Sequence, residues 1–128
     1  MKRLALPLIL LVVVAIACNR DEASKSLATP EARPIGNAER GKALAGQYGC
    51  NVCHVVPGVE GPQGSLGPSL AGVASRPSIS FGKVPNTPEN LVKFIQEPAA
   101  MNPQSSMPPI GLTDVDAKDI AAYLLTLK

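Results

Sequence analysis

Three segments of the chain show helix start signals together with apolar residues at helical spacing. The first segment begins after Asn37, which is a good N-cap, and continues to about Gln47. The second has Thr87 as its N-cap and Pro88 at the first helical position, and it ends near Pro98. We therefore expect a helix in each of these two segments.

The third helical segment starts after Thr113 and contains Asp114 in its first turn, where the positive end of a helix favours an acidic side chain. Its apolar stripe consists of Ile120, Leu124 and Leu127. The segments 55–68 and 98–111 are rich in Gly and Pro, which predicts loops. No segment alternates like a strand, so the pattern predicts an all-α domain with three main helices and long Pro/Gly-rich loops.

An uncharged apolar run of 14 residues follows the basic start of the chain. A membrane-spanning helix needs about 20 residues, so we interpret residues 1–17 as a signal peptide. Val14 to Cys18 resembles the bacterial lipobox, which predicts cleavage before Cys18 and attachment of lipid to its side chain. The alternatives are an exported protein with a free cysteine and an uncleaved anchor. In every case the mature domain lies outside the cytoplasm.

Residues 18–36 are polar, contain charges of both signs and show no sustained apolar period. This composition predicts a flexible tether that follows the lipidated cysteine and has a root-mean-square span of roughly 23 Å. The folded domain is expected to comprise residues 37–128.

The composition limits both the size of the core and the choice of partners. A chain of 128 residues has room for one small domain. Two Tyr, two Phe and no Trp leave a thin core, unless another apolar body fills the interior. Without Lys2 and Arg3 the basic and acidic residues are equal in number, and no basic run occurs. A neutral chain of this kind is a poor nucleic-acid binder.

The candidate chemistry lies in Cys50 to His54, which reads Cys-Asn-Val-Cys-His. Cys-x-x-Cys-His is the attachment signature of c-type haem. Thiols about one helical turn apart can bond to the two vinyl groups of one porphyrin, and the adjacent imidazole then reaches the iron. A structural zinc site needs about four ligands, and His54 is the only histidine. A redox thiol pair and a structural disulfide between Cys50 and Cys53 are the remaining alternatives.

The iron of such a haem needs a sixth ligand, and two methionines compete with lysine side chains, the amino terminus and water. Met107 is followed by Pro108, which disfavours helical backbone at Met107 and stiffens an extended loop. Met101 lies closer to the second helix, where packing is its more ordinary role. These features favour His54 and Met107 as the two iron ligands.

The chain resembles the small bacterial class I cytochromes c. The matching stretches are Asn37 to Leu44, Cys50 to His54, Gly67 to Leu70, Met107-Pro108 and Asp119 to Leu124. The resemblance implies an all-α fold wrapped around one covalent haem c, with the terminal helices crossing near a right angle. Asn86 to Leu91 together with Met107-Pro108 is similar to bacterial cytochromes associated with terminal oxidases.

The resemblance also implies roles for particular residues. The carbonyl of Pro68 would accept a hydrogen bond from Nδ1 of His54, the usual brace on a ligand histidine. Leu70 and Phe94 would contact the haem, and Arg76 would either contact a haem propionate or lie at the surface. The family often uses a Trp for a propionate, and its substitute here would be Ser80, Asn86 or Thr87. Gly41 and Leu44 of the first helix would meet Tyr123 and Leu124 of the last.

Filled axial positions leave no open site for a substrate, which predicts a one-electron carrier and not an enzyme. The expected partners are a donor and an acceptor redox protein, with no nucleic acid and no small-molecule substrate. The expected location is the periplasmic side of a bacterial membrane, with an anchor at Cys18. The alternatives are a haem subunit of a multi-subunit enzyme, such as a sulfur-oxidising complex, and a haem sensor.

Overall fold

The structure is a computed structural model that describes residues 35–128. The interpretations of residues 1–17 as a signal peptide and of Cys18 as a lipidation site lie outside these residues. The same holds for the tether, except for its last two residues.

Five helices and two strands occur between residues 35 and 128. They are α1 (Ala38–Gln47), α2 (Cys50–Cys53), β1 (Ser78–Ile79), β2 (Val84–Pro85), α3 (Pro88–Gln96), α4 (Pro98–Met101) and α5 (Asp114–Leu124). A single 3₁₀ turn occupies Val73–Ser75.

The three main helices, α1, α3 and α5, begin where the sequence predicted, and α1 also ends at Gln47 as expected. Helix α3 ends at Gln96, two residues before Pro98, and α5 ends at Leu124, so Leu127 lies beyond the helix whose stripe it was predicted to join. Each begins at the expected N-cap, because the side chains of Asn37, Thr87 and Thr113 accept hydrogen bonds from the backbone N–H three residues further on. Such caps satisfy backbone donors that the first helical turn leaves without partners. Local sequence signals therefore account for the main helical framework.

Two local predictions were wrong. Residues 98–111 do not form one continuous loop. Helix α3 ends shortly before Pro98, and Pro98 itself is the first residue of the short helix α4. Proline suits a first helical position, where its missing N–H has no helical partner. The prediction of no strand also failed, because Ser78 and Ile79 pair antiparallel with Pro85 and Val84. Strands of two residues are too short for alternation to be visible.

Helices α1 and α5 form the largest helix contact, and two glycines permit their close approach. A β-carbon on Gly41 would overlap the backbone of Asp119 and lie 3.0 Å from the amide nitrogen of Ile120. A β-carbon on Gly36 would lie 2.5 Å from the carbonyl oxygen of Lys118. The atoms nearest to Gly41 therefore belong to Asp119 and Ile120, one turn before Tyr123 and Leu124, and the predicted meeting of Gly41 and Leu44 with those two residues stays a prediction.

The core collects the apolar faces of the main helices together with Val and Ile side chains from the loop after α2, the 3₁₀ turn and the two strands. Its buried members are Ala45, Val56, Val73, Ile79, Val84, Leu91, Val92, Ile95, Ala117, Ile120, Ala121, Tyr123 and Leu124. Tyr123 is the one ring among them, and its hydroxyl donates to the carbonyl of Pro57. In the part of the chain that the structure describes, no helix is both long and apolar enough to cross a membrane.

Candidate haem-attachment site

The attachment motif folds as the short helix α2. Gly49, which precedes it, has a φ of 73°, a left-handed conformation that glycine adopts without strain. The carbonyl of Cys50 accepts a hydrogen bond from the backbone N–H of His54 at 3.0 Å. The two cysteines are therefore one helical turn apart and His54 follows directly, which is the arrangement that covalent haem attachment requires.

The two thiols of this turn are free and partly buried. Burial raises the pKa of the Cys50 thiol above its usual value, and the neighbouring Cys53 raises it further. Before the haem is attached, the neutral thiol is therefore the favoured form of Cys50.

The imidazole of His54 is oriented by the loop that follows it. Its Nδ1 lies 2.7 Å from the carbonyl oxygen of Pro68, which is the contact that the family resemblance implied. When Nδ1 donates this hydrogen bond, Nε2 is the nitrogen left to bind a metal. The pairing therefore selects the tautomer suited to an axial ligand.

Backbone hydrogen bonds hold the loop of residues 55–68 against the attachment turn. The N–H of Gly64 donates to the carbonyl of Asn51, and that of Gly67 donates to the carbonyl of Cys53, both at 2.8 Å. Further along, the N–H of Leu70 donates to the carbonyl of Val55 at 2.8 Å. The loop that the Gly and Pro content predicted is thus hydrogen-bonded to the motif along its length and forms a layer packed against it.

Side chains that the sequence analysis did not single out complete this layer. Asn51 is buried and donates to the carbonyls of Glu60 and Pro62. Gln63 accepts from the N–H of Val56 at 2.6 Å and donates to the carbonyl of Val59 at 2.9 Å. The sequence shows that Asn51 lies inside the motif. It does not show the hydrogen-bond partners of Asn51, because they lie in a loop whose path cannot be predicted from local patterns.

Two glycines of this loop have a role that the sequence analysis did not assign: Gly64 was not singled out, and Gly67 was named only as part of a stretch that matches the family. A β-carbon on Gly64 would overlap the carbonyl of Val52 and lie 2.9 Å from Cα of Cys53. A β-carbon on Gly67 would collide with the ring of His54. Both glycines therefore allow the loop to lie flat against the motif. Both glycines are visible in the sequence. Many loop glycines do not have to lie this close to another segment, so the sequence alone did not single these two out.

The two candidate methionines lie in different surroundings. Met107 is half-buried, packs against the core, and its N–H contacts Oγ of Ser105 at 3.3 Å. Met101 ends α4, is also half-buried, and lines a groove of about 300 Å³ beside Leu112. Burial does not separate them, so the proline after Met107 is still the feature that favours it as a ligand.

The other predicted haem contacts lie on the segment that follows the motif and on α3. Leu70 and Phe94 are half-buried and pack against the core. Nη2 of Arg76 donates to the carbonyls of Ser69 and Ala71, at 2.6 and 2.8 Å, which places its guanidinium beside Leu70.

Among the predicted substitutes for a propionate-binding Trp, Asn86 was a wrong choice. Its amide nitrogen already donates to the carbonyls of Val73 and Arg76, so neither hydrogen is free for a carboxylate. The hydroxyls of Ser80 and Thr87 accept hydrogen bonds from Asn102 and Asn90, and each keeps its own hydrogen for another acceptor. Ser80 and Thr87 thus have a donor available, whereas Asn86 does not.

The donor set fits covalent haem. Two free thiols are one turn apart, and the next residue is an imidazole held by a carbonyl. Between residues 35 and 128 no group of three or more His, Cys, Asp or Glu side chains is arranged to hold a metal ion. A zinc site, which takes about four such ligands, is therefore disfavoured here. Fold and site together define a small helical protein of the c-type haem class.

Comparison with known proteins supports the same assignment. The sequence model of the Cytochrome c family matches residues 38–128. Over 92 residues the chain is 34% identical to cytochrome c-552 of Bradyrhizobium diazoefficiens, and the alignment covers 72% of this chain and 76% of that protein. The chain belongs to the cytochrome c family, as a small bacterial class I member with covalent haem c. Members of this family carry electrons and are not enzymes.

Proposed function

We propose that the protein carries single electrons between redox proteins on the periplasmic side of a bacterial membrane, with His54 and Met107 as axial ligands. A terminal oxidase is the proposed acceptor, because Asn86 to Leu91 followed by Met107-Pro108 resembles oxidase-associated cytochromes. The hydrogen bond between Nδ1 of His54 and the carbonyl of Pro68 carries the proposal. It supports permanent axial ligation by His54, which suits a carrier.

The bound haem supplies a one-electron couple, and the chain's own residues set the conditions for it. Cys50 and Cys53 are placed to fasten the group, and Pro68 holds the imidazole in one tautomer. A thioether from Met107 would fill the remaining axial position and raise the reduction potential. Fixed ligands on both sides favour outer-sphere transfer, because little rearrangement accompanies a change of valence.

Exposed apolar side chains near the attachment turn support a protein partner. Val52 is 67% exposed and Leu66 is 87% exposed. Their chain segments run side by side, because Asn51 and Cys53 are hydrogen-bonded to Gly64 and Gly67. A contiguous exposed apolar patch is typical of protein interaction sites, and the proposal puts the docking of redox partners at this pair of segments beside the motif.

A lipid anchor on Cys18 is part of the proposal. The lipobox-like sequence from Val14 to Cys18 and the polar tether support it. Two or more acyl chains attach a protein firmly to a membrane, whereas one chain binds only marginally. Anchoring would raise the effective concentration of the carrier near membrane-bound donors and oxidases.

The experiment that tests the proposed ligation compares Met107→Ala with Met101→Ala in the haem-loaded protein. We expect Met107→Ala to remove the weak sulfur-to-iron absorption band of the oxidised form, lower the reduction potential and admit carbon monoxide to the reduced form. Met101→Ala is the matched control and should change none of these. The reverse result would assign the ligand to Met101. Carbon monoxide binding by the unaltered protein would favour a sensor over a carrier.

A further inference from the structure

The backbone of Gly67 packs against the imidazole of His54. A β-carbon on Gly67 would lie 2.5 Å from Nδ1 and 2.9 Å from Nε2 of the ring, and closer still to Cε1. Favourable contacts between heavy atoms lie at about 3.5–4.0 Å. No side chain fits at position 67 unless the ring or the loop moves.

Glycine is needed at this position for space and not for its backbone conformation. The glycines with left-handed φ in the described region are Gly49, Gly58, Gly61, Gly72, Gly82 and Gly111, and Gly67 is not among them. An alanine at position 67 would thus meet no left-handed backbone penalty. The three atoms nearest to its β-carbon would all belong to the imidazole of His54.

The segment around Gly67 is also held at both ends. The N–H of Gly67 donates to the carbonyl of Cys53 at 2.8 Å, and the carbonyl of Pro68 accepts from Nδ1 of His54 at 2.7 Å. One short stretch of backbone therefore blocks the ring sterically and binds its Nδ1–H. The imidazole cannot turn without losing the hydrogen bond or colliding with Gly67.

We propose that Gly67 is a positioning residue that holds the imidazole of His54 in the orientation at which Nδ1 binds Pro68, and thereby keeps the reduction potential low. This inference rests on the proposed function, since it takes His54 as the axial ligand. A hydrogen bond at Nδ1 makes a ligand imidazole a stronger electron donor, which favours the oxidised metal. A side chain at position 67 that displaces the ring weakens this bond, so the potential should rise.

The test uses Gly67→Ala in the haem-loaded full chain. We expect the reduction potential to rise, the hydrogen on Nδ1 of His54 to exchange faster in NMR spectra, and the electron paramagnetic resonance spectrum of the oxidised form to shift. Gly41→Ala is the matched control, because its β-carbon collides with Asp119 in α5 and not with the ring. It should lower the melting temperature and leave the three ligand readouts at their original values.

A second variant covers the case in which Gly67→Ala does not assemble. Pro68→Ala keeps the accepting carbonyl and removes the rigid ring that fixes it, so it should accelerate Nδ1 exchange and raise the potential to a smaller extent. Original values of potential and exchange in either assembled variant would overturn the proposal. Equal shifts in Gly41→Ala would do the same, because they would show a general effect of destabilisation.

The failure of this inference can be distinguished from failure of the proposed function. If the proposed ligation is wrong, the unaltered protein itself lacks the spectrum of a His/Met centre. If only the role of Gly67 is wrong, the unaltered protein shows the spectrum of a His/Met centre, and Gly67→Ala shows the same spectrum unchanged.

Discussion

The backbone N–H of Asn37 donates a hydrogen bond to Oδ1 of Asp119 at 2.8 Å, joining the start of α1 to α5. Asp119 is only 4% exposed, and its other carboxylate oxygen accepts from Nε of Arg40. Hydrogen bonds to charged groups contribute about 1.5–3 kcal/mol each. This buried carboxylate therefore fixes the helix pair at the place where Gly36 and Gly41 bring the two backbones together.

The first prediction concerns this crossing. Gly41→Val should destabilise the haem-loaded protein by about 1–3 kcal/mol, because the added side chain overlaps the backbone of α5. Thermal or denaturant unfolding measures the change. Gly46→Ala is the control, since its β-carbon would approach only the Val59 side chain, at 3.3 Å. An unchanged melting temperature in Gly41→Val would contradict a tight crossing.

Covalent attachment gives the second prediction. Acidified acetone should leave the pigment on the protein, and mass spectrometry should find one haem per chain. Replacing either Cys50 or Cys53 by Ala should remove one thioether bond, leaving a haem that is held by the remaining cysteine. Complete extraction of pigment from the unaltered protein would refute attachment at the motif.

A third prediction follows from Asp116, whose Oδ2 accepts hydrogen bonds from the hydroxyls of Thr113 and Tyr48 at 2.8 and 2.9 Å. These two hydrogen bonds hold the pKa of Asp116 below its usual range, and the bond from Thr113 has the larger effect. The charged form is favoured in the folded state. Its stabilising effect is therefore present above the ordinary aspartate pKa of about 4 and is lost as pH falls through the lower folded pKa.

Asp116→Asn should accordingly flatten the loss of melting temperature below about pH 4, where the unfolded aspartate takes up a proton first. Melting curves recorded from neutral to strongly acidic pH measure the slope. Tyr48→Phe removes one of the two donors, so it should flatten the slope only in part. Identical acid slopes in the original protein and in Asp116→Asn would rule out this linkage.

The fourth prediction tests the anchor. The unaltered protein should fractionate with membranes, and its Cys18 peptide should carry the mass of attached lipid. Cys18→Ser should either block processing or release the domain into the periplasmic fraction. An unmodified Cys18 mass, or a soluble unaltered protein, would favour plain export. N-terminal sequencing alone does not distinguish the forms, because both are cut before the same residue.

The main helices and the attachment motif were predictable because their signals are local. Asn37, Thr87 and Thr113 cap helices through contacts with residues three positions away, which the sequence displays directly. The motif from Cys50 to His54 is likewise contained within one turn. The short strands and α4 were missed because elements of two to four residues contain too little periodicity to recognise.

The amino-acid sequence by itself determined the three helical segments, the thiol pair with its adjacent histidine, and the family. Only the tertiary structure decided that Gly67 packs on the ring of His54, that Gly41 faces Asp119, and that the amide hydrogens of Asn86 are already used. The reason is physical. Caps and periodicity depend on neighbours along the chain, whereas close approach and hydrogen-bond saturation depend on distances between residues that folding alone brings together.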